Sequence, residues 1–131
     1  MLSLPLNKQK LFTDPKRLGR WGERRCEKYL RKKGFKTIAR NFSCRTGEID
    51  LIMADSDGTI VFIEIKTRTD EKFTPAEEVI TLPKKTRLIK TAKYFLKTYD
   101  IENRPCRFDI VTIVLDKTKH ERISHYENAF N

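Results

Sequence analysis

Residues 48–67, EIDLIMADSDGTIVFIEIKT, decide the fold of this 131-residue chain. Within them, residues 59–67 are rich in β-branched and aromatic side chains, which are typical of strands. Residues 48–54 are predicted to form a second strand, in which successive side chains alternate in side. The DSDG sequence between the two runs supplies turn residues. A three-residue loop at 56–58, with Gly58 in the left-handed position of a bulged turn, therefore predicts a β-hairpin.

The register of this hairpin decides whether its acidic side chains meet. The predicted loop pairs Asp55 with Thr59, which carries Asp50 directly opposite Glu64. Opposed residues of an antiparallel pair have Cβ atoms roughly 4.5–5.5 Å apart. Two carboxylates at that spacing can chelate one Mg²⁺. The side chain of Lys66 points to the same face as Glu64, because side chains alternate along a strand.

Alternation also predicts which residues share a face of the sheet. Glu48, Asp50 and Ile52 are expected on one face of the first strand, and Glu64 and Lys66 on one face of the second. The apolar residues around them indicate strands that are buried on both faces, so these charges need a partner or a metal ion to offset their desolvation. A plain ion pair between Lys66 and Glu64 would also meet that need.

Two helices and further strands are predicted around the hairpin. Residues 1–17 are expected to form a flexible basic N-terminal arm, and residues 18–131 a single domain. Residues 69–82 are predicted to be a short helical or irregular connection. Helical spacing predicts helices at 18–33 and 84–99, and β-rich runs predict strands at 35–42, 108–115 and 122–126. This order predicts a mixed α/β sheet of four to five strands flanked by helices.

Charge is distributed unevenly along the chain. The net charge is +10, from 28 Lys and Arg against 18 Asp and Glu, which favours a polyanionic partner such as nucleic acid. Residues 48–65 hold five acidic and no basic side chains, whereas residues 1–47 hold 14 basic and three acidic ones. The hairpin is thus an acidic island in a basic chain, which a metal ion and the surrounding cations would neutralise.

Cysteine spacing and hydropathy set the expected compartment. The three cysteines form no CxxC pair, so the sequence indicates neither a zinc knuckle nor a disulfide framework. No apolar run approaches the roughly 20 residues that a membrane span needs, and the first residues lack the features of a signal peptide. We therefore expect a cytoplasmic protein without a membrane partner.

Five sequence blocks together resemble a known family. They are GRWGERRCEKYLRKKGF (19–35), ARNF (39–42), GEIDLI (47–52), VFIEIKTR (61–68) and RFDIV (107–111). In this order and spacing they resemble the YraN-like family of small bacterial proteins, which are predicted endonucleases related to the archaeal Holliday junction resolvases. GEIDLI and VFIEIKTR also look like the D…ExK core of the PD-(D/E)xK nuclease superfamily, although Ile49 stands where the superfamily pattern has Pro.

The resemblance implies a fold, a cofactor and roles for named residues. The fold would be restriction-endonuclease-like, and the cofactor Mg²⁺ or Mn²⁺ held by Asp50, Glu64 and the backbone carbonyl of Ile65. Lys66 would be the catalytic lysine and Glu23 a supporting acidic residue. The implied reaction is hydrolysis of phosphodiester bonds in DNA, with branched or recombination structures among the expected substrates. Because resolvase-like relatives act on two strands symmetrically, a homodimer is compatible with this function.

Cationic side chains near the predicted site are expected to hold the nucleic-acid backbone. They are Arg45, Arg68, Lys84, Lys85 and Arg87. Two other functions stay open on sequence alone. One is a noncatalytic nucleic-acid-binding module that keeps the nuclease fold, in which Lys66 only neutralises Glu64. The other is an adaptor for a membrane surface or an acidic protein, although the basic helix lacks the Trp- and Phe-rich face of an interfacial anchor.

Overall fold

The computed structural model describes residues 10–69, 80–118 and 120–130. Within these ranges a 3₁₀ turn, two α-helices and five β-strands follow one another. The turn is Lys10–Phe12, the helices are α1 Pro15–Lys32 and α2 Leu82–Thr98, and the strands are β1 Lys36–Cys44, β2 Gly47–Ala54, β3 Ile60–Thr69, β4 Cys106–Leu115 and β5 Glu121–Phe130. No helix of these ranges combines the length and the apolar character that crossing a bilayer requires.

The five strands form one sheet in the order β1-β2-β3-β4-β5. Neighbouring strands are antiparallel except β3 and β4, which are parallel. In the sequence, α2 connects these two strands. β3 is the central strand. The prediction of a mixed α/β sheet of four to five strands flanked by helices is confirmed by this architecture.

The first helix begins earlier than predicted. It starts at Pro15 rather than at residue 18, because Asp14 is its N-cap and accepts hydrogen bonds from the backbone N–H groups of Lys16 and Arg17. Its polar first turn gives no apolar periodicity, so the sequence pattern missed it. Residues 10–17 of the predicted N-terminal arm are therefore a 3₁₀ turn and the start of α1, with Leu11 buried, and residues 1–9 lie outside the described residues.

Boundaries elsewhere differ by small amounts. The helix expected at 84–99 is α2, which begins two residues earlier, at Leu82. The short edge strand expected at 122–126 is longer and spans Glu121–Phe130. Most of the connection expected at 69–82 lies outside the described residues.

The sheet has an apolar core on each face. On one face Cys26 and Leu30 of α1 pack against Val61 and Ile63 of β3 and Val111 of β4. On the other face α2 covers a second core of similar size, which includes Ile52, Ile60, Phe62, Leu88, Phe95 and Ile110. The central strand therefore contributes alternate residues to both cores, as its near-continuous apolar run predicts.

The predicted hairpin register is confirmed. The N–H of Asp55 donates to the carbonyl of Thr59 at 2.9 Å, and Gly58 has a φ of 89°, in the left-handed region. The observed β2–β3 pairs run from Leu51↔Ile63 to Ala54↔Ile60. This register is the one that carries Asp50 toward Glu64.

The prediction that side chains alternate strictly between the two faces along β2 is wrong near Asp50. Ile49 and Ile52 both pack into the α2-side core, although alternating residues three apart would face opposite sides. The irregularity falls at Asp50, opposite Asn41, whose φ is 50°. The expectation that Glu48, Asp50 and Ile52 share one face is therefore corrected: β2 changes its orientation at Asp50.

A buried polar network stabilises the opposite end of the hairpin. The carboxylate of Asp109 is fully buried and lies 2.7 Å from Nε2 of His125, while Nε of Arg107 donates to it at 3.0 Å and the N–H of Asn128 at 2.9 Å. Burial alone would raise the pKa of Asp109, but these donors outweigh it and hold the pKa below its usual range. The guanidinium of Arg107 also donates to Asp55 at 2.8 Å, which links the hairpin turn to β4.

The approach of α1 to the sheet is closest at Gly22. A Cβ at this position would lie 1.8 Å from Oγ1 of Thr67 on β3, far inside van der Waals contact. Thr67 is itself buried. Only glycine therefore lets α1 pack this close to β3. The contact lies next to the candidate site, because Glu23 follows Gly22 in the helix and Lys66 precedes Thr67 in the strand.

Gly22→Ala is expected to lower the free energy of unfolding by about 1–3 kcal/mol, because the added methyl group overpacks the contact with Thr67. Gly19→Ala is the matched control in the same helix, since a Cβ there meets nothing within 4 Å. That control should gain about 0.5–1 kcal/mol from helix propensity. Urea denaturation of the two variants measures both values, and equal behaviour would contradict the close contact.

Candidate metal and nucleic-acid site

The acidic cluster forms where β2 and β3 separate. The observed pairs of these strands end at Leu51↔Ile63, one step before Asp50 and Glu64. Beyond that point the N–H of Ile65 donates to Oδ2 of Asp50 at 2.8 Å. The carboxylate of Asp50 thus takes the place of a backbone carbonyl of β2 as the acceptor, and it lies beside the backbone of β3.

Glu64 is a buried carboxylate between two ammonium groups. Its side chain is 7% exposed, and its Oε2 atom lies 2.5 Å from Nζ of Lys84 and 3.6 Å from Nζ of Lys66. A carboxylate this buried needs such partners, because desolvation of an unpaired charge is costly. The predicted proximity of Lys66 and Glu64 is therefore observed, together with a second lysine that was assigned to a different role.

Lys84 reaches Glu64 from the first turn of α2. Thr81 is the N-cap of this helix, and its hydroxyl accepts a hydrogen bond from the N–H of Lys84. A lysine in the first helical turn is unfavourable for the helix dipole, whose positive end is at the N-terminus. The carboxylate of Glu64 compensates this unfavourable position, so α2 and β3 are joined by an ion pair at the site.

Burial and neighbouring charges shift the pKa values of this cluster. Burial, followed by the negative charge of Glu64, raises the pKa of Asp50 to about 7, against the opposing hydrogen bond from Ile65. Burial and the nearby Lys84 lower the pKa of Lys66. Burial would also lower the pKa of Lys84, but its hydrogen bonds, first to Glu64, and the negative charges of Glu64 and Asp50 together outweigh burial and raise that pKa.

Two openings in the surface meet at Asp50, one on each side of the sheet. The opening on the α1 side has a volume of about 150 Å³ and is lined by Glu23, Asn41 and Asp50 among others. The one on the α2 side has a volume of about 230 Å³ and includes Asp50, Glu64 and Lys84. Asp50 therefore borders an opening on each side of the sheet, whereas Glu64 borders only the one on the α2 side.

Glu23, the supporting acidic residue that the resemblance implied, lies in the α1-side opening together with Asp50. Burial raises the pKa of Glu23, and the hydrogen bond that links it to Asn41 opposes this effect. The charges of Glu48 and Glu64 act in the same direction as burial. Glu23 thus belongs to the electrostatic surroundings of the cluster. Asn41, which the sequence did not single out, connects it to β1.

The cationic residues predicted to hold a phosphate backbone do not all lie together. Lys84 and Arg87 line the α2-side opening, and Arg68 lines a separate opening beside Lys66. Arg45 is in the two-residue turn between β1 and β2. Lys85 points elsewhere, with its ammonium 5.7 Å from the ring centre of Phe130.

The donor set at the site fits a magnesium ion that keeps several water ligands. Among the described ranges no group of three or more His, Cys, Asp or Glu side chains could hold a metal. Asp50 and Glu64 supply two carboxylates, and Mg²⁺ is commonly bound by one or two carboxylates plus waters and substrate phosphates. Since the N–H of Ile65 faces Asp50, its carbonyl faces the same side of the strand and is available as a third oxygen.

Comparison with known sequences identifies similar proteins over most of the chain. Residues 22–113 match the sequence model of the uncharacterised protein family UPF0102. A UPF0102 protein of Pelotomaculum thermopropionicum is 42% identical over 116 residues, which are 88% of this chain and 96% of that protein. One from Syntrophomonas wolfei is 42% identical over 113 residues, 86% of this chain and 96% of its own length.

Comparison with solved structures gives two partial similarities. One is to the structure of an EndoMS–dsDNA2 complex, with 26% identity and a TM-score of 0.33 over 56% of this chain and 26% of the other. The other is to a repair endonuclease from Pyrococcus abyssi, with 20% identity and a TM-score of 0.27 over 63% of this chain and 29% of the other. This chain thus spans less than a third of either structure.

Asp50→Asn is expected to stabilise the metal-free protein at alkaline pH. The pKa of Asp50 is about 7 when folded, whereas an unfolded aspartate has a pKa of about 3.9. Between those values the native state retains a proton that the unfolded chain has released, so the free energy of unfolding falls as pH rises. An amide does not titrate. The variant should therefore gain on the order of 2 kcal/mol at pH 8, after allowance for solvent screening.

Thermal melting in EDTA at several pH values from acid to alkaline measures this gain. The advantage of Asp50→Asn should shrink toward pH 4, where the wild-type carboxyl is also neutral. Glu102→Gln, which removes an exposed carboxylate, is the control and should show no such trend. A stability difference that does not vary with pH would contradict the raised pKa of Asp50.

Proposed function

The chain belongs to the UPF0102 family, which confirms the resemblance to YraN-like proteins, and from this premise we propose that it is a divalent-metal-dependent endonuclease acting on DNA. One observation carries the proposal: the carboxylates of Asp50 and Glu64 meet beside Lys66, in openings that also expose cationic side chains. Among possible substrates we favour DNA that is branched or otherwise not fully paired.

The residues of the site suit the hydrolysis of a phosphodiester bond. Asp50, Glu64 and the carbonyl of Ile65 would hold Mg²⁺ or Mn²⁺. When bound, such an ion supplies Lewis-acid polarisation of a phosphate oxygen and lowers the pKa of a nearby water. The ammonium of Lys66 can orient the attacking water or stabilise the negative charge that develops on the phosphorus oxygens.

Lys84 adds a second cation to the same carboxylate. A phosphate that reaches Glu64 would meet ammonium groups from two different elements, Lys66 on β3 and Lys84 on α2. Arg87 lines the same opening one helical turn further along α2. These side chains hold a phosphate through charge, without selecting a base sequence.

The alternative function is a noncatalytic nucleic-acid-binding module. The double neutralisation of Glu64 by Lys66 and Lys84 favours it, because such a pair also serves as a buried structural ion cluster. In that case the ion pairs would stabilise the fold, and the cationic surface alone would account for binding.

Lys66→Ala and Asp50→Asn separate the two functions. In the endonuclease, Lys66→Ala should reduce metal-dependent cleavage by at least about two orders of magnitude while DNA affinity stays nearly unchanged. Asp50→Asn should instead abolish Mn²⁺ binding measured by calorimetry, because a neutral amide replaces a charged oxygen ligand. Cleavage is measured on four-way, flapped and linear DNA with Mg²⁺ and with Mn²⁺.

Lys85→Ala is the matched control for the cleavage assay, since this lysine lies over Phe130 and away from Glu64. It should cleave at the wild-type rate. If the wild-type protein cuts none of the three substrates and Lys66→Ala melts far below the wild type, the binding module replaces the endonuclease.

DNA affinity is expected to depend steeply on salt. Phosphate contacts release counterions, so the logarithm of affinity should fall with the logarithm of salt concentration by about 0.9 per contacted phosphate. Arg87→Ala should make this slope shallower by about 1. Lys28→Ala, which removes an equal charge from an exposed position of α1 away from the openings, should leave the slope unchanged. Fluorescence anisotropy measures both slopes, and a flat salt response would exclude phosphate-mediated binding.

A further inference from the structure

A third opening adjoins the candidate site, and the proposed function gives it no role. It lies between the 3₁₀ turn, the first half of α1 and the last residues of β3, and its volume is about 350 Å³. This volume is at the low end of the range, on the order of 300–1,000 Å³, seen for ligand pockets. It suits one small planar group.

The lining of this pocket combines apolar and polar side chains. Phe12, Leu11 and Leu18 supply the apolar part. Thr13 and Glu23 supply hydrogen-bonding groups in the same wall. A nucleobase has the complementary character, with flat faces that stack on an aromatic ring and an edge of donors and acceptors.

The pocket adjoins the site through Glu23. This residue lines both the pocket and the α1-side opening that includes Asp50. A phosphate at a metal ion beside Asp50 would be joined through its sugar to a base, so the base of the same or the next nucleotide would lie within reach. Arg68 also lines the pocket and adds positive charge for the strand.

We propose that this pocket receives an unpaired nucleobase of the DNA strand that is being cut. The proposal rests on the proposed endonuclease function and names its substrate class. A base inside a duplex is paired and stacked, so it cannot enter a side pocket without leaving the helix. The substrate is therefore DNA with an unpaired nucleotide next to the scissile phosphate, as in a bulge, a flap or a branch point.

The test compares two bulged duplexes that differ by one base. Both carry a single unpaired nucleotide at the same position, and in one of them that nucleotide is abasic, so backbone shape and charge are matched. Affinities are measured by fluorescence anisotropy with the full-length protein, in EDTA and at one salt concentration, so that nothing is cleaved. The wild type should bind the duplex with the base at least about fivefold more tightly, as stacking of one base contributes. Equal affinities would overturn the proposal.

Substitutions at Gly19 locate the effect in the pocket. Gly19 lines the pocket, and a Cβ built there meets nothing within 4 Å, so a larger side chain enters open space without disturbing the helix. Gly19→Leu should fill the pocket and abolish the preference for the base. Gly19→Ala is the matched control, and it should keep the preference because a single methyl group leaves most of the volume free. If Gly19→Leu retains the preference, the base binds elsewhere.

The binding test of the pocket and the cleavage test of the endonuclease can fail separately. A preference for the base in EDTA without cleavage in Mg²⁺ would support the pocket and count against the endonuclease. Cleavage of the bulged duplex with equal affinity for the abasic form would support the endonuclease and overturn the pocket.

Discussion

The arrangement of the site follows from one constraint: the central strand carries a charge where both of its faces are covered. β3 contributes to the core under α1 and to the core under α2, yet its fifth residue is Glu64, a carboxylate with 7% of its side chain exposed. Such a charge is tolerated only with close partners of opposite sign. Lys66 and Lys84 meet this requirement, and the second of them determines how the first turn of α2 lies on the sheet.

The two helices impose different requirements on the same strand. α2 is joined to β3 by charge, whereas α1 is joined to it by shape, through the absence of a side chain at Gly22 next to Thr67. Because Glu23 follows Gly22 directly, the close packing also sets how near a third carboxylate comes to Asp50. The distance between the charges of Glu23 and Asp50 thus depends on a steric contact between two uncharged residues, Gly22 and Thr67.

Sequence patterns predicted the elements and the hairpin register because both depend on local chemistry. A loop of three residues ending in Gly58 leaves little freedom in pairing, so the approach of Asp50 to Glu64 followed from the turn. Lys84 was expected only to hold the nucleic-acid backbone, because helical periodicity cannot show which strand residue the first turn of a helix will meet. The change of orientation at Asp50 was missed for a related reason, since it arises where the β2–β3 pairs end and the side chain of Asp50 accepts from the N–H of Ile65.

The network around Asp109 ties the last strand, whose own residues are exposed or half-buried, to the interior. Two of the donors to this fully buried carboxylate, His125 and the N–H of Asn128, come from the last strand, which ends at Phe130. Losing that strand would leave a buried negative charge with one of its three partners, Arg107, and an unpaired buried charge is strongly destabilising. A fusion or truncation that detaches this strand from β4 would therefore act on a buried carboxylate of the neighbouring strand, and not only on the edge of the sheet.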